Sequence, residues 1–474
     1  MPSDVPYFRG MEHGNGERLA VIGAGLVGSL WALMLRNRGY EVEVFERRSD
    51  PRTGPVVGGR SINLALSDRG WRALEKAGVA EAVRGIALPV LGRLMHAVDG
   101  ATTYQPYGLP TAPGKFGDPQ CIYSVSRARL NRILVEAAEQ AGARIHFGHA
   151  CTALEPDGPD GVELSFKAAG ETRPAGPFSR VFGTDGAFSA VRDRMQRTDR
   201  FDFEQRYLTH GYRELEMQPG PDGGFRLRED ALHIWPRGGF MLMALPNPDR
   251  TFTCTLFAPY DGPDGLDALE DPAAAEAFFA REFPDVLPHF PDFQGEWSQH
   301  ANASLVMVRC NPWHRTDRLC LMGDAAHAIV PFYGQGMNCG FEDCSVLSEL
   351  MDAESTWGEV FRAYSAARKP AGDAILELAL RNYIEMRDKT GDPRFLLQKR
   401  IEARLASLYP GEWLPLYSQV TFSHTPYHEA LAAGKRQDAI MATVMDRPDI
   451  ADVWDHPEIT DAAIALFRST EFSY

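Results

Sequence analysis

The segment RLAVIGAGLVGSLWALMLRNRGYEVEVFE, Arg18 to Glu46, constrains this chain more than any other. RLAVI reads as a strand, Leu26 to Asn37 as an apolar helix, and EVEVFE as a second strand. The turn between the first strand and the helix carries Gly23, Gly25 and Gly28 in the spacing G-x-G-x-x-G. The first glycine permits the turn, the second lets a pyrophosphate approach the backbone, and the third lets helix and strand pack closely. Glu46 ends the second strand, where a carboxylate can accept a hydrogen bond from a ribose hydroxyl. The pattern is a βαβ opening for a dinucleotide. Leu19 to Leu35 carries no charge, but three glycines and the following Arg36 and Arg38 do not fit one membrane-spanning helix.

Two more turns have the same character. In FGTDGAFSAVR, Asp185-Gly186 follows an apolar strand end, and Ser189 and Arg192 lie on the next helical turn. In LCLMGDAAHAIVPFYGQGMNCGFEDC, Asp324 follows the apolar run Leu319 to Met322. An ionised carboxylate in apolar surroundings is costly unless hydrogen-bonded, so a hydroxyl-rich or amide-rich neighbour is expected beside Asp324. Gly334 to Asn338 then opens a helix, whose unsatisfied N–H groups favour negative charge.

The rest of the chain bounds the problem. A length of 474 residues suits two or three domains, and 44% hydrophobic with 24% charged residues is ordinary for a soluble protein. A net charge of -15 disfavours nucleic acid and anionic membranes as partners. The seven cysteines show no CxxC pair and no metal-binding Cys/His spacing, which fits reduced thiols in the cytoplasm and no metal site. Met11 to Arg18 does not resemble a secretory signal, and DAAIALFRSTEFSY is too short and polar to anchor the chain. Strand-like runs LHIWP, FMLMALP and TFTCTLF, separated by PGPDGG and YDGPDG, mark an inserted antiparallel sheet. From Ala363 onward the pattern is helical. The expected division is 17–200 and 311–375 for the dinucleotide domain, with strands near 90–110 contacting substrate. Residues 201–310 form the sheet domain, and 376–474 a helical region closing the substrate site.

Together the three motifs resemble the FAD-dependent aromatic hydroxylases, single-component flavin monooxygenases of the p-hydroxybenzoate hydroxylase type. That resemblance implies an α/β fold: a Rossmann-type FAD domain, an inserted antiparallel-sheet substrate domain and C-terminal helices. GRSINLALSDRGWRAL, YSVSRARLN, HGYREL, LHIWPRGGFMLMALPN, GQGMNCGFEDC, NYIEMRD and LPLYSQVTFS further resemble the kynurenine 3-monooxygenase family, in unbroken order from Leu19 to about His428. For FAD the resemblance implies Gly23, Gly25, Leu26, Val27, Gly28, Glu46, Arg47, Ala65, Arg127, Cys151, Asp185, Asp324, Pro331, Gly336, Met337 and Asn338. Asp324 would accept from ribityl hydroxyls.

For substrate it implies Arg93 and Tyr107 on an amino-acid carboxylate, with Asn382 and Tyr417 completing the contacts. A planar guanidinium grips a carboxylate bidentately and a phenol adds orientation. No side chain is expected to be catalytic, because the cofactor carries the hard step. The resemblance implies that NADPH reduces FAD, that O2 adds at flavin C4a, and that the hydroperoxide's terminal hydroxyl passes to L-kynurenine at ring C3, beside the amine. Phe240, Phe257, Pro331, Phe332 and Tyr333 are candidates for an apolar enclosure, and His327 is expected to be structural.

Cys339 stands where relatives commonly have Ala, and Tyr333 where Phe is common; the loop Thr111 to Gln120 looks long. These departures leave a substituted kynurenine or another tryptophan-derived aniline as an alternative substrate, and a non-catalytic flavin-binding protein as an alternative class. The W-x-W-x-I-P segment of flavin halogenases is not found. The animal members' C-terminal membrane anchor is also missing, and a monomer or homodimer is expected.

Overall fold

The computed structural model describes residues 14, 16–53, 63–108, 114–389 and 392–469. The start of GRSINLAL and the first residues of the Thr111 loop lie outside them. The chain divides into two compact units, each built from three segments.

The first unit comprises Met1–Ala87, Val125–Tyr207 and Val306–Leu376. Its main sheet has six strands in the order His314–Arg315, Leu319–Leu321, Arg180–Gly183, Arg18–Ile22, Glu41–Glu46 and Arg144–Phe147. All pairings are parallel except that of His314–Arg315. Leu19 to Val21 and Val181 to Phe182 are fully buried, as expected for parallel strands covered on both faces. The helix Leu26–Asn37 follows the first strand, with the bounds its sequence pattern gives.

Register positions the ligand-facing edge. Ile22 pairs with Gly183, and Gly183 with Leu321, so three strands end level with one another. The turns after them, at Gly23, Thr184-Asp185 and Gly323-Asp324, therefore leave the same carboxyl edge of the sheet. Open α/β sheets bind ligands at that edge.

The second unit comprises Leu88–Ser124, Leu208–Leu305 and Glu377–Tyr474. Its sheet is mixed. Ala231–Pro236, Met241–Pro246 and Phe252–Pro259 pair antiparallel, as the alternating runs and turn clusters predict, and Phe252–Pro259 pairs antiparallel with His210 to Met217. Gly92–His96, from much earlier in the chain, joins parallel to Ala231–Pro236 and antiparallel to Thr102–Pro106. Helices Pro272–Glu282 and Phe293–Gln299 bury Phe278, Phe279, Phe293 and Trp297 with the sheet residues Leu215, Trp235 and Leu256. C-terminal helices, among them Pro393–Leu408, Tyr427–Met445 and Pro457–Arg468, close a separate core around Ile401, Trp413, Met441 and Ile459. Among the described residues no helix is long and apolar enough to cross a membrane.

Candidate active site

The three turns of the first unit touch one another. Gly23 has φ +101°, and a Cβ there would lie 2.7 Å from the Thr184 carbonyl oxygen and 2.9 Å from the Asp185 Cα. A Cβ on Gly28 would meet the Gly23 carbonyl oxygen at 1.9 Å, so the third glycine of the fingerprint is fixed by packing. Nothing among the described residues lies within 4 Å of a Cβ built on Gly25. Space for a pyrophosphate is thus found at the second glycine, beside the first turn of the helix begun by Leu26 and Val27. Gly323 and Gly340 both pack on the Val27 side chain, at 3.0 and 2.6 Å from a built Cβ, which brings the third turn onto the first.

Side chains tie the turns together. Arg192, almost fully buried, donates from Nη1 to the Ala325 carbonyl at 2.8 Å and from Nη2 to the Ala187 carbonyl at 2.5 Å. It staples the Asp185 turn to the Asp324 turn. Asn338 is also consumed by backbone: Nδ2 donates to the Ala65 and Gly334 carbonyls at 2.8 and 2.9 Å, and Oδ1 accepts from Ser67 N at 2.9 Å. Ala65 and Gly334 are thereby set side by side.

The acids differ. Glu46 accepts from Ala24 N through Oε2 and from Arg48 N through Oε1, both at 2.9 Å. It braces the glycine turn, and its spare lone pairs are what a ribose would find. Asp185 accepts from Ala190 N at 2.7 Å through Oδ2, while its buried Oδ1 has no hydrogen-bond partner among the described residues. Burial pushes its carboxyl above the ordinary range despite the amides of Ala190 and Val191. Asp324 is exposed, at the start of the short helix Asp324–His327, and its carboxylate takes no hydrogen bond from the described residues. The apolar setting expected for it is therefore not observed: the buried strand stops at Leu321, and Gly323, at φ +59°, turns the chain outward.

An orphaned buried oxygen, an unpartnered exposed carboxylate and an open glycine cradle at one sheet edge fit a ligand rich in hydroxyls and phosphates. Met337 is buried in the first turn of the helix Gly336–Ala353, and Gly336 and Pro331 are half-buried ahead of it. Cys151 is half-buried, its thiol pushed up to about 12 by burial and by Asp185. Arg47 and Arg127 are exposed, with no ion pair or hydrogen bond among the described residues; Arg127 begins the helix Arg127–Gln140.

In the second unit Arg93, Tyr107 and Tyr417 form one cluster. The Arg93 guanidinium carbon lies 4.4 Å from the Tyr417 ring centroid and 5.3 Å from that of Tyr107. The two rings stack at 5.3 Å with an interplanar angle of 14°. Arg93 comes from Gly92–His96, Tyr107 from the end of the partner strand through its N–H bond to the Leu91 carbonyl at 2.9 Å, and Tyr417 from the helix Leu416–Thr421. Burial opposes the Arg93 charge, yet both tyrosines hold its pKa above the ordinary value; burial raises that of Tyr107 as well. No carboxylate among the described residues pairs with Arg93, and its Nε is buried without a hydrogen-bond partner. Asn382 Nδ2 lies 3.2 Å from the sulfur of Met386, which sits in the π-helical turn Glu385–Lys389. Phe240 packs on Phe278 at 5.0 Å and on the core beneath the sheet, so its ring is engaged there.

A family model described as an FAD binding domain matches residues 18–379. Fold, turns and match define the class: a flavoprotein monooxygenase. Kynurenine 3-monooxygenase of Flavobacterium psychrophilum is 44% identical over 454 residues, 96% of this chain and 99% of that one. The enzyme of that name from Myxococcus xanthus is 44% identical over 437 residues, 92% of each chain. The chain belongs to the kynurenine 3-monooxygenase family. Among solved structures, the tetrameric form of 2-methyl-3-hydroxypyridine-5-carboxylic acid oxygenase aligns with a TM-score of 0.64 at 20% identity, covering 80% of this chain and 95% of that one. Pseudomonas aeruginosa PqsL in complex with 2-aminobenzoylacetate aligns with 0.62 at 19%, covering 79% and 97%. At those identities the likeness is one of fold, and it is the hydroxylase fold that the motifs imply.

Proposed function

We propose that the protein hydroxylates L-kynurenine at ring C3 with FAD bound at the three turns, consuming one O2, one NADPH and one proton and releasing water and NADP+. The observation that carries the substrate side is Arg93. A guanidinium clasped by two tyrosine rings, with no carboxylate of its own, is a charge prepared for an incoming carboxylate. Kynurenine has one, and its ring is activated by an ortho amine.

Bound FAD supplies the reduction of oxygen and the transferable hydroxyl. The chain binds and orients. Arg93 takes the substrate carboxylate through its fork of donors, and Tyr107 and Tyr417 fix the plane of that fork. The backbone amides at Gly25 and Leu26 take the pyrophosphate, Glu46 a ribose hydroxyl, and Asp324 the ribityl hydroxyls. The amides that open the helix Gly336–Ala353 favour the negative charge that flavin gains on reduction. Arg47, Ala65, Arg127, Cys151, Pro331, Met337 and Asn338 complete the cofactor set, Asn338 by holding Ala65 rather than by a free side chain. Asn382 completes the substrate set.

Work in the cytoplasm, as a monomer or homodimer, belongs to the same reading. Seven unpaired cysteines support a reducing compartment. The test is direct: purified protein is yellow, kynurenine accelerates NADPH oxidation severalfold, and 3-hydroxykynurenine accumulates. Consumption of NADPH with hydrogen peroxide as sole product would overturn the substrate.

A further inference from the structure

Behind the Asp324 turn lies a buried group of charges to which the reaction assigns no part. Asp343, fully buried in the helix Gly336–Ala353, accepts through Oδ2 from Gly323 N at 2.9 Å and contacts His327 Nε2 at 2.6 Å. Its Oδ1 accepts from Arg368 Nε at 2.8 Å. Arg368 Nη1 donates to Glu342 Oε2 at 2.6 Å, and Glu342 also receives Arg69. Every member is buried, Arg69 included.

His327 is enclosed on all sides. Trp313 stacks on its ring with centroids 4.9 Å apart, and Gly372 packs against its Cβ. Cys339 Sγ lies 3.8 Å from Nδ1, and Arg368 Nη2 lies 3.2 Å from the same sulfur. Among the described residues the one carboxylate touching His327 is that of Asp343, which also holds the backbone of Gly323, one residue before Asp324.

We propose that His327 is a positioning residue kept as an imidazolium by Asp343. The cluster then holds three cations, Arg69, His327 and Arg368, against two carboxylates, Glu342 and Asp343. Its excess positive charge sits beneath the turn and the helix start assigned to flavin, and favours reduced, negatively charged flavin over oxidised flavin. This rests on FAD binding at the three turns, as proposed above. Two further facts agree. Burial lowers a histidine's pKa, yet Asp343 and Cys339 hold that of His327 well above the ordinary value. Burial raises carboxyls, yet His327 and Arg368 hold that of Asp343 below the ordinary range.

The test compares holoenzyme with His327→Gln, which keeps an N–H donor for Asp343 and removes the charge. The measured quantity is the midpoint potential of bound FAD at pH 7. The expected result is about a tenfold shift of affinity away from reduced FAD, a fall of roughly 30 mV for a two-electron couple. An unchanged potential with FAD still bound overturns the proposal. Nitrogen NMR of isotopically labelled histidines in the wild-type holoenzyme tests the charge without any variant, and serves if His327→Gln does not fold. One signal that stays imidazolium at pH 8 is expected, and a spectrum with every histidine neutral at that pH overturns the proposal. Wild-type protein that binds no FAD would instead refute the cofactor reading, and the NMR result would still decide the charge of His327.

Discussion

Replacing Arg93 with Met removes a cation and keeps an unbranched apolar stem beside the stacked Tyr107 and Tyr417. In the free protein nothing anionic among the described residues is lost, because Arg93 has no carboxylate partner there. What the variant loses appears only with substrate, whose carboxylate must enter a site lined by two rings. Breaking a buried ion pair by deleting one member costs about 3–5 kcal/mol, which is roughly 150- to 5,000-fold in kcat/KM. The Lys variant keeps a charge and loses the planar fork, for about 1.5–3 kcal/mol, or roughly 10- to 150-fold. The assay is kynurenine-dependent NADPH oxidation with product quantified, run beside the decarboxylated amine of kynurenine. That amine should be poor with wild type and no poorer with Arg93→Met, since it lacks the group Arg93 holds. The melting temperature should fall modestly, because both tyrosines favour the Arg93 charge and the variant loses their contacts. A KM for kynurenine within twofold of wild type, or equal losses for acid and amine, would refute the assignment of Arg93.

Other expectations follow from single contacts. Asp324→Ala should weaken FAD about ten- to a hundredfold by flavin fluorescence with little change in melting temperature, since its carboxylate is exposed and unpartnered. Unchanged affinity would remove Asp324 from the cofactor set. Asn338→Ala leaves Ser67 N and the Ala65 carbonyl without their partner and should cost about 2–4 kcal/mol in denaturant unfolding together with FAD retention; a loss under 1 kcal/mol would contradict the clamp. Burial lowers His233 to about 4, so the folded protein holds it neutral while the unfolded chain takes up a proton near the usual ~6.5. Its stabilising share is present above that value and is lost as pH falls towards 4, about 2.5 kcal/mol between pH 7.5 and 4.5. His233→Gln should show a drop smaller by that amount, and an identical drop would exclude the histidine as its source.

The dinucleotide half of the molecule was legible because its signals are local. Strand, glycine turn and helix between Arg18 and Glu46 follow from period and spacing, and the structure reproduces those bounds. Convergence of the three turns was legible only as a family resemblance; physically it arises from the register of Ile22, Gly183 and Leu321, which no local pattern encodes. Arg192 was visible in its motif, but its acceptors are backbone carbonyls at Ala187 and Ala325, and a carbonyl has no residue type to read. Arg368 gave no signal either, since its partners Glu342 and Asp343 belong to another helix. The parallel insertion of Gly92–His96 beside Ala231–Pro236 is illegible for the same reason: the pairing is long-range, and the strand itself looks ordinary. The apolar neighbours of Asp324 predict an apolar setting, whereas one glycine at positive φ carries it to the surface.

The most direct measurement of the central claim is the mass of the product formed from kynurenine by purified, FAD-loaded protein and NADPH under isotopically labelled O2. A hydroxylated kynurenine carrying one labelled oxygen atom, at the ring carbon beside the amine, is predicted. Unlabelled product, or unchanged kynurenine with labelled hydrogen peroxide, would contradict it.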